Sequence, residues 1–316
     1  MGVVYDAIRS DGSHVAIKTL RQEQRDDPRA RRRFHDEATV GQLVHHPRVA
    51  SVIDHDEANG IPFLVMSLVP GESLGTVIRR DGTPSLERAV SIGVQILDAL
   101  DAIHRAGIVH GDVKSDNVLI CRDGDGSDGV TLIDFGLAHL QDTEAEPADE
   151  GSTLVSGTPE YMAPEVARGL APTTQSDLYA AGVILYELLV GATPFAGGPA
   201  ALILCRQLRD IVIPPSLRCP EREIPFALER IVLRALRKEP RRRFRSARRF
   251  LQALMRIELH GAADLTGCSH GRLTLDGSTS IDEAAPTIDR HPRTVCVETA
   301  GLPGAVDASS MNRRYP

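Results

Sequence analysis

Residues 110–120 read His110, Gly111, Asp112, Val113, Lys114, Ser115, Asp116, Asn117, Val118, Leu119, Ile120. An aspartate and an asparagine stand five positions apart with a lysine between them, in a loop that runs into an apolar strand. Upstream, Ala89, Ile92, Ile96, Leu97, Leu100 and Ile103 recur every three or four residues, which predicts a helix over 86–106. Loops between helix and strand lie on the surface and carry function more often than packing. Downstream, Leu132, Ile133, Asp134, Phe135, Gly136 sets another acid at the end of a strand, followed by a glycine. Far upstream, Val15, Ala16, Ile17, Lys18 is an apolar strand ending in a lysine, which taken alone reads as a solubility device at a sheet edge.

The chain around these segments has 316 residues, 36 basic and 43 acidic, for a net charge of -7, with 42% hydrophobic and 25% charged residues. That is globular composition for one large domain or two smaller ones, and it excludes disorder of the whole chain. The apolar stretch 180–190 is broken by Glu187 and falls short of the roughly 20 residues of a membrane helix. No basic region precedes an apolar run at the N-terminus, and Asp6 stands where a myristoylation motif takes Ser or Thr. The expectation is a cytoplasmic protein without a membrane span. Cys121, Cys205, Cys219, Cys268 and Cys296 are odd in number, widely spaced and without a Cys-x-x-Cys unit, so they read as reduced thiols. Three lysines stand against thirty-three arginines. A GC-rich genome accounts for such a bias, and each position that keeps lysine becomes worth inspecting.

From 1 to about 80 the pattern is of short strands, marked by Val15, Ile17, Leu20 and by Phe63, Leu64, Val65, Met66. A helix over 29–44 interrupts them, carrying Phe34, Ala38 and Leu43, with a basic leading turn at Arg31, Arg32, Arg33 that reads as a solvated face, and Pro47 as its stop. After Gly71, helical patterns dominate, over 86–106, 176–190, 226–236 and 246–257. The fold class is α+β: a small strand-rich lobe of about 1–70 before a larger helical lobe of about 71–256. From about 257 aromatics nearly vanish and acids outnumber bases eight to five, so 257–316 reads as a disordered tail.

An Asn and an Asp that converge beside a lysine suit a magnesium polyphosphate, because a hard cation takes one or two carboxyl-type ligands and fills the rest with phosphate and water. At this point the residues resemble a known family, the eukaryotic-like (Hanks-type) bacterial serine/threonine protein kinases, from Gly2 to about Leu254. The resemblance implies a two-lobed kinase domain over 1–256 that uses ATP and Mg2+ on protein substrates. By it, Gly2, Val3 and Val4 are similar to the end of the glycine-rich loop, and Lys18 to the lysine on the α- and β-phosphates. Glu37 would be its ion-pair partner. Met66 would stand at the back of the adenine pocket, with Ser67 to Val69 as the hinge and Val4, Ala16 and Leu119 around the ring. Asp112 is similar to the catalytic base, Lys114 to the lysine beside the transferred phosphate, and Asn117 and Asp134 to the magnesium ligands. Gly157, Thr158, Pro159, Glu160, Tyr161, Met162, Ala163, Pro164, Glu165 resembles the segment that receives the peptide. Asp177 and Gly182 resemble the anchors of a central helix, and Arg243 the buried partner of Glu165.

The resemblance begins inside the glycine-rich loop, so the first strand and two glycines are missing from this sequence. The expectation is truncation within that loop, with a start upstream of Met1 favoured. Gly111 replaces an arginine that in many kinases pairs with an activation-loop phosphate. That loop is already acidic at Asp142, Glu144, Glu146, Asp149 and Glu150, which argues against control through Ser152, Thr153 or Ser156. His110, Gly111, Asp112 with Asn117 also resembles the aminoglycoside and choline phosphotransferases, an alternative that Lys114, Phe135, Gly136 and the peptide-receiving segment disfavour. A catalytically impaired kinase-fold scaffold is the alternative from another class. The arginines over 241–249 suggest a nucleic-acid patch, but Arg243 has a structural role by resemblance and the net charge is negative, so no nucleic-acid partner is expected.

Overall fold

Ala16, Lys18 and Leu20 are buried, and Ile17 and Thr19 between them are more open. A computed structural model of the chain describes residues 2–122, 128–134, 138–140 and 158–257. It sets this strand second in an antiparallel sheet of order β1-β2-β4-β3, with β1 Gly2–Ile8, β2 His14–Leu20, β3 Val52–Ala58 and β4 Ile61–Ser67. Directly opposed residues of antiparallel strands point to the same face. The pairs Val4 with Lys18, Lys18 with Leu64 and Ala16 with Met66 therefore gather Val4, Ala16, Lys18, Leu64 and Met66 on one face.

Helix α1, Pro28–Gly41, packs on that face. Asp27 accepts the Arg29 amide at 2.9 Å as its N-cap, and Pro28 occupies the first helical position, where the missing N–H costs nothing. Phe34 and Ala38 meet Leu20 and Leu64 in a small core. The helix stops at Gly41, well before Pro47, because the Gln42 and Leu43 amides close back onto the Ala38 and Val40 carbonyls. Leu43 is thereby thrown outward and is 53% exposed, contrary to its expected place in the apolar stripe.

The second part begins with β5 Glu72–Ser73, α2 Leu74–Asp81 and α3 Leu86–Arg105. Ser73 and Ser85 cap the two helices, accepting the Thr76 and Arg88 amides at 3.2 Å. Then come β6 Ile108–Val109, β7 Val118–Arg122, β8 Asp128–Leu132 and β9 His139–Leu140. The remaining helices are α4 Pro164–Ala167, α5 Thr174–Val190, α6 Ala200–Arg209, α7 Pro215–Arg218, α8 Phe226–Ala235 and α9 Ala247–Met255. The four expected helices are present with ends shifted by one or two residues, while α2, α4, α6 and α7 had no forecast. Helix α5 is apolar nearly all round and buried accordingly. Its Gly182 is required by packing, since a Cβ there would lie 2.7 Å from the Ala235 Cβ of α8.

Charge divides along the chain. Residues 200–257 carry fifteen basic and five acidic side chains, whereas the described residues before Ala200 carry sixteen and twenty-three. Arg230 and Arg234 of α8, Arg241 in the following turn and Arg248 and Arg249 of α9 are all exposed. Cys121, Cys205 and Cys219 are free thiols. Among the described residues no helix is long and apolar enough to cross a membrane. Phe135, Gly136, the acidic segment with Ser152, Thr153 and Ser156, Gly157, Cys268, Cys296 and the tail after Ile257 lie outside the described residues.

Candidate active site

Four segments distant in sequence meet around Lys18. Its Nζ donates to Glu37 Oε1 and to Asp134 Oδ1, each at 2.6 Å, and the lysine is 5% exposed. Burial alone would pull the ammonium down, but the two carboxylates outweigh it and hold its pKa above the ordinary value. Glu37 is pushed up, first by burial and then by the charge of Asp134, against the pull of Lys18. Gly2 crosses this site from β1: a Cβ there would lie 2.8 Å from the Thr19 carbonyl oxygen and 3.1 Å from the Lys18 side chain.

Asp134 follows β8 with φ +66°, a left-handed conformation that an aspartate holds only when its surroundings fix it. One such tie is the Ile133 amide, which donates to the Asn117 carbonyl at 2.9 Å and joins the end of β8 to the loop before β7. In that loop Asp112 is clasped from both sides. Its Oδ2 accepts from Lys114 Nζ at 2.6 Å and from Asn117 Nδ2 at 3.1 Å, and its carbonyl accepts the same amide nitrogen at 2.9 Å. Because the Asn117 nitrogen is committed to Asp112, the amide oxygen is the atom it turns toward any cation.

The loop is hung on α5. The Asp177 carboxylate accepts the His110 and Gly111 amides, each at 2.9 Å, and the His104 Nε2–H at 2.8 Å. Burial would raise Asp177, yet the His104 bond and charge and the amide donors overcome it and keep its pKa below the carboxylate norm. His110 is fully buried, and that burial pulls its pKa down.

Thr158 to Glu165 is held at three points. Gln207 of α6 donates through Nε2 to the Glu160 carbonyl at 2.8 Å and the Pro159 carbonyl at 3.3 Å. The Tyr161 hydroxyl donates to Glu187 Oε2 at 2.6 Å and lies 2.7 Å from Ser115 Oγ. Glu165 forms a two-pronged bond with Arg243, at 2.6 and 2.7 Å. Behind them, Lys238 Nζ donates to the Gln207 carbonyl at 2.6 Å and sits 4.3 Å from the Phe195 ring centre, and burial pulls it down to about 8.

The structure thus brings together Gly2, Lys18, Glu37, Asp112, Lys114, Asn117 and Asp134, and gathers Val4, Ala16 and Met66 on the adjoining sheet face. Leu119 is opposite Ser73 in the β5–β7 pair. Ser67 is tied to Ser51 by two bonds, at 3.0 and 3.1 Å, where β4 gives way to the stretch containing Val69. Among the described residues Lys114 is bonded to Asp112, and no hydrogen bond joins it to Thr158. Sequence reading missed His104, Ser115, Glu187 and Gln207, whose partners lie tens of positions away. Lys238 had a signal in the scarcity of lysine.

The oxygen donors present are one carboxylate from Asp134 and one amide oxygen from Asn117. Among the described residues no three His, Cys, Asp or Glu side chains converge to hold a metal by themselves. That donor set fits a hard divalent cation that arrives with phosphate and keeps water, and it does not fit zinc or a soft metal.

A model of the family described as the protein kinase domain matches residues 1–254. The chain is 40% identical to serine/threonine-protein kinase Pkn1 of Myxococcus xanthus, across 100% of this chain and 45% of that protein. It is 33% identical to serine/threonine-protein kinase PknB of Mycolicibacterium smegmatis (87% and 43% covered) and 36% to serine/threonine-protein kinase PknA of Mycobacterium tuberculosis (81% and 58%). The chain spans about half the length of the curated relatives it matches. With a two-lobed α+β fold, a lysine–glutamate pair under the sheet and a clasped aspartate in the loop before β7, the chain belongs to the protein kinase family.

Proposed function

We propose that this chain is the kinase domain, over 1–256, of a cytoplasmic protein serine/threonine kinase that moves the γ-phosphate of ATP to serine or threonine of other proteins. The observation that carries the reading is the convergence of the Lys18–Glu37–Asp134 cluster and the Asp112–Lys114–Asn117 clasp with the anchored segment 158–165. Asp112 is the base that accepts the substrate hydroxyl's proton. Its Oδ2 is taken up by Lys114 and Asn117, so Oδ1 is the atom that faces the hydroxyl. Lys18, held by Glu37, positions the α- and β-phosphates, and Lys114 lies beside the phosphoryl group in transfer. Val4, Ala16, Met66 and Leu119 enclose the adenine, with Ser67 and Val69 as its hinge and Gly2 above the phosphates. Asn117 and Asp134 are the residues that hold Mg2+, which when bound neutralises charge on the phosphate oxygens. Thr158, Pro159 and Glu160, with Gly157 before them, receive the peptide backbone. A segment so firmly anchored favours a protein acceptor over a small molecule. The negative net charge favours proteins over nucleic acid as partners.

The test is incubation of the chain with Mg2+ and ATP, then mass spectrometry of the chain itself and of added protein. Phosphate on serine or threonine is the expected result. Phosphate on tyrosine alone, or turnover of an aminoglycoside with none on protein, overturns the reading. A failure to phosphorylate any protein favours the scaffold.

A further inference from the structure

Ser115 is the first residue of the tight turn Ser115–Asn117 and is 1% exposed, yet none of the roles above uses it. Its Oγ lies 2.7 Å from the Tyr161 hydroxyl, which donates to Glu187 Oε2 at 2.6 Å. A phenol has one hydrogen. With that hydrogen on the Glu187 carboxylate, Ser115 must be the donor in its bond to Tyr161. Burial, reinforced by the Glu187 charge, pushes the Tyr161 phenol far up, so it stays protonated and the chain of donors runs one way from Ser115 through Tyr161 to Glu187. Helix α2 closes over Ser115 at Gly75, where a Cβ would lie 2.9 Å from Ser115 Oγ and 2.6 Å from Asp116 Oδ1.

The position of this bond gives it a consequence. Ser115 sits between Lys114 and Asn117, the two residues that clasp Asp112. Tyr161 sits in the middle of the segment that receives the peptide. The loop hangs on Asp177 of α5, and the segment on Gln207, Arg243 and, through Tyr161 itself, Glu187 of α5. Among the described residues, the Ser115–Tyr161 bond is the hydrogen bond that ties these two parts directly to each other. We propose that Ser115 is a positioning residue that sets the distance between the base and the peptide-receiving segment, and so governs use of the protein substrate and not of ATP. This rests on the kinase reading above.

The experiment compares wild type with Ser115→Ala, Tyr161→Phe and the double variant, using casein as the probe. It measures kcat and KM for casein, KM for ATP, and Tm. One buried hydrogen bond contributes enough to shift kcat/KM for casein by about fivefold in either single variant. KM for ATP should stay within twofold of wild type. The double variant should lose no more than Tyr161→Phe alone, because that change already removes the Ser115 bond along with the one to Glu187. The proposal is overturned if casein kinetics match wild type, if KM for ATP shifts as much as that for casein, or if the two losses multiply. Should Ser115→Ala prove unfolded by its Tm, Tyr161→Phe, which keeps the ring, decides by the same criteria. A wild type that phosphorylates no protein defeats the kinase reading, and this proposal with it; an active wild type with indifferent variants defeats this proposal alone.

Discussion

Replacing Asp112 by asparagine yields a folded protein that binds nucleotide normally and transfers phosphate slower by about 10²-fold or more, the usual scale for loss of a general base. The substitution is nearly isosteric, and the clasp survives in part: the Asn117 side chain still reaches the carbonyl at residue 112, a bond that does not involve the carboxylate. What disappears is the oxygen able to take a proton from a hydroxyl. Binding of a fluorescent nucleotide checks the site, circular dichroism checks the fold, and radiolabel transfer to protein measures the rate. Turnover at the wild-type level would remove Asp112 from the chemistry.

The largest effect on stability is expected from Arg243→Met. All five guanidinium hydrogens are used: Nε on the Arg237 carbonyl at 2.8 Å, Nη1 on Glu165 and the Gln175 carbonyl at 2.6 and 2.8 Å, and Nη2 on Glu165 and the Lys238 carbonyl at 2.7 and 3.1 Å. The guanidinium also lies 4.8 Å from the Tyr179 ring centre. Methionine fills much of the volume but leaves the Glu165 carboxylate and three carbonyls without their donor in a buried place. Removing one partner of such a pair costs about 3–5 kcal/mol, read as a lower urea midpoint at unchanged slope. A loss under about 1 kcal/mol would mean that solvent or a neighbour replaces the donor.

The parts of this protein that could be read from sequence are those whose chemistry is local. Lys114, Asp112 and Asn117 lie within six positions, so the motif stands out in the sequence, while their roles come from the resemblance and the bonds among them from the structure. The central helix announces itself because it is apolar nearly all round. Helices α2 and α6 escaped because each is short, eight and ten residues. Leu43 was misjudged because a helical repeat says nothing of where the backbone turns, and two amides closing on Ala38 and Val40 decided that. Lys18 was visible as a lysine in a chain that has few. Its pairing with Glu37, 19 positions away, is implied by the resemblance, whereas its second bond, to Asp134 116 positions away, is not. Gln207 carried no signal at all: a glutamine between two arginines on a short helix looks like surface until Tyr179, Pro159 and Glu160 are found around it.

The uneven distribution of arginine gives the molecule an electrical polarity that its net charge conceals. At low ionic strength a body with a surplus of positive charge on α8, α9 and the turn between them is turned by the field of an approaching anion before any contact is made. An anion is therefore drawn toward these exposed arginines before it touches them. Raising the salt shortens the reach of the field to about 8 Å at physiological strength and lets the other faces compete. Orientation in encounters is in this sense written into residues 200–257, independently of the catalytic groups that lie before them in the chain.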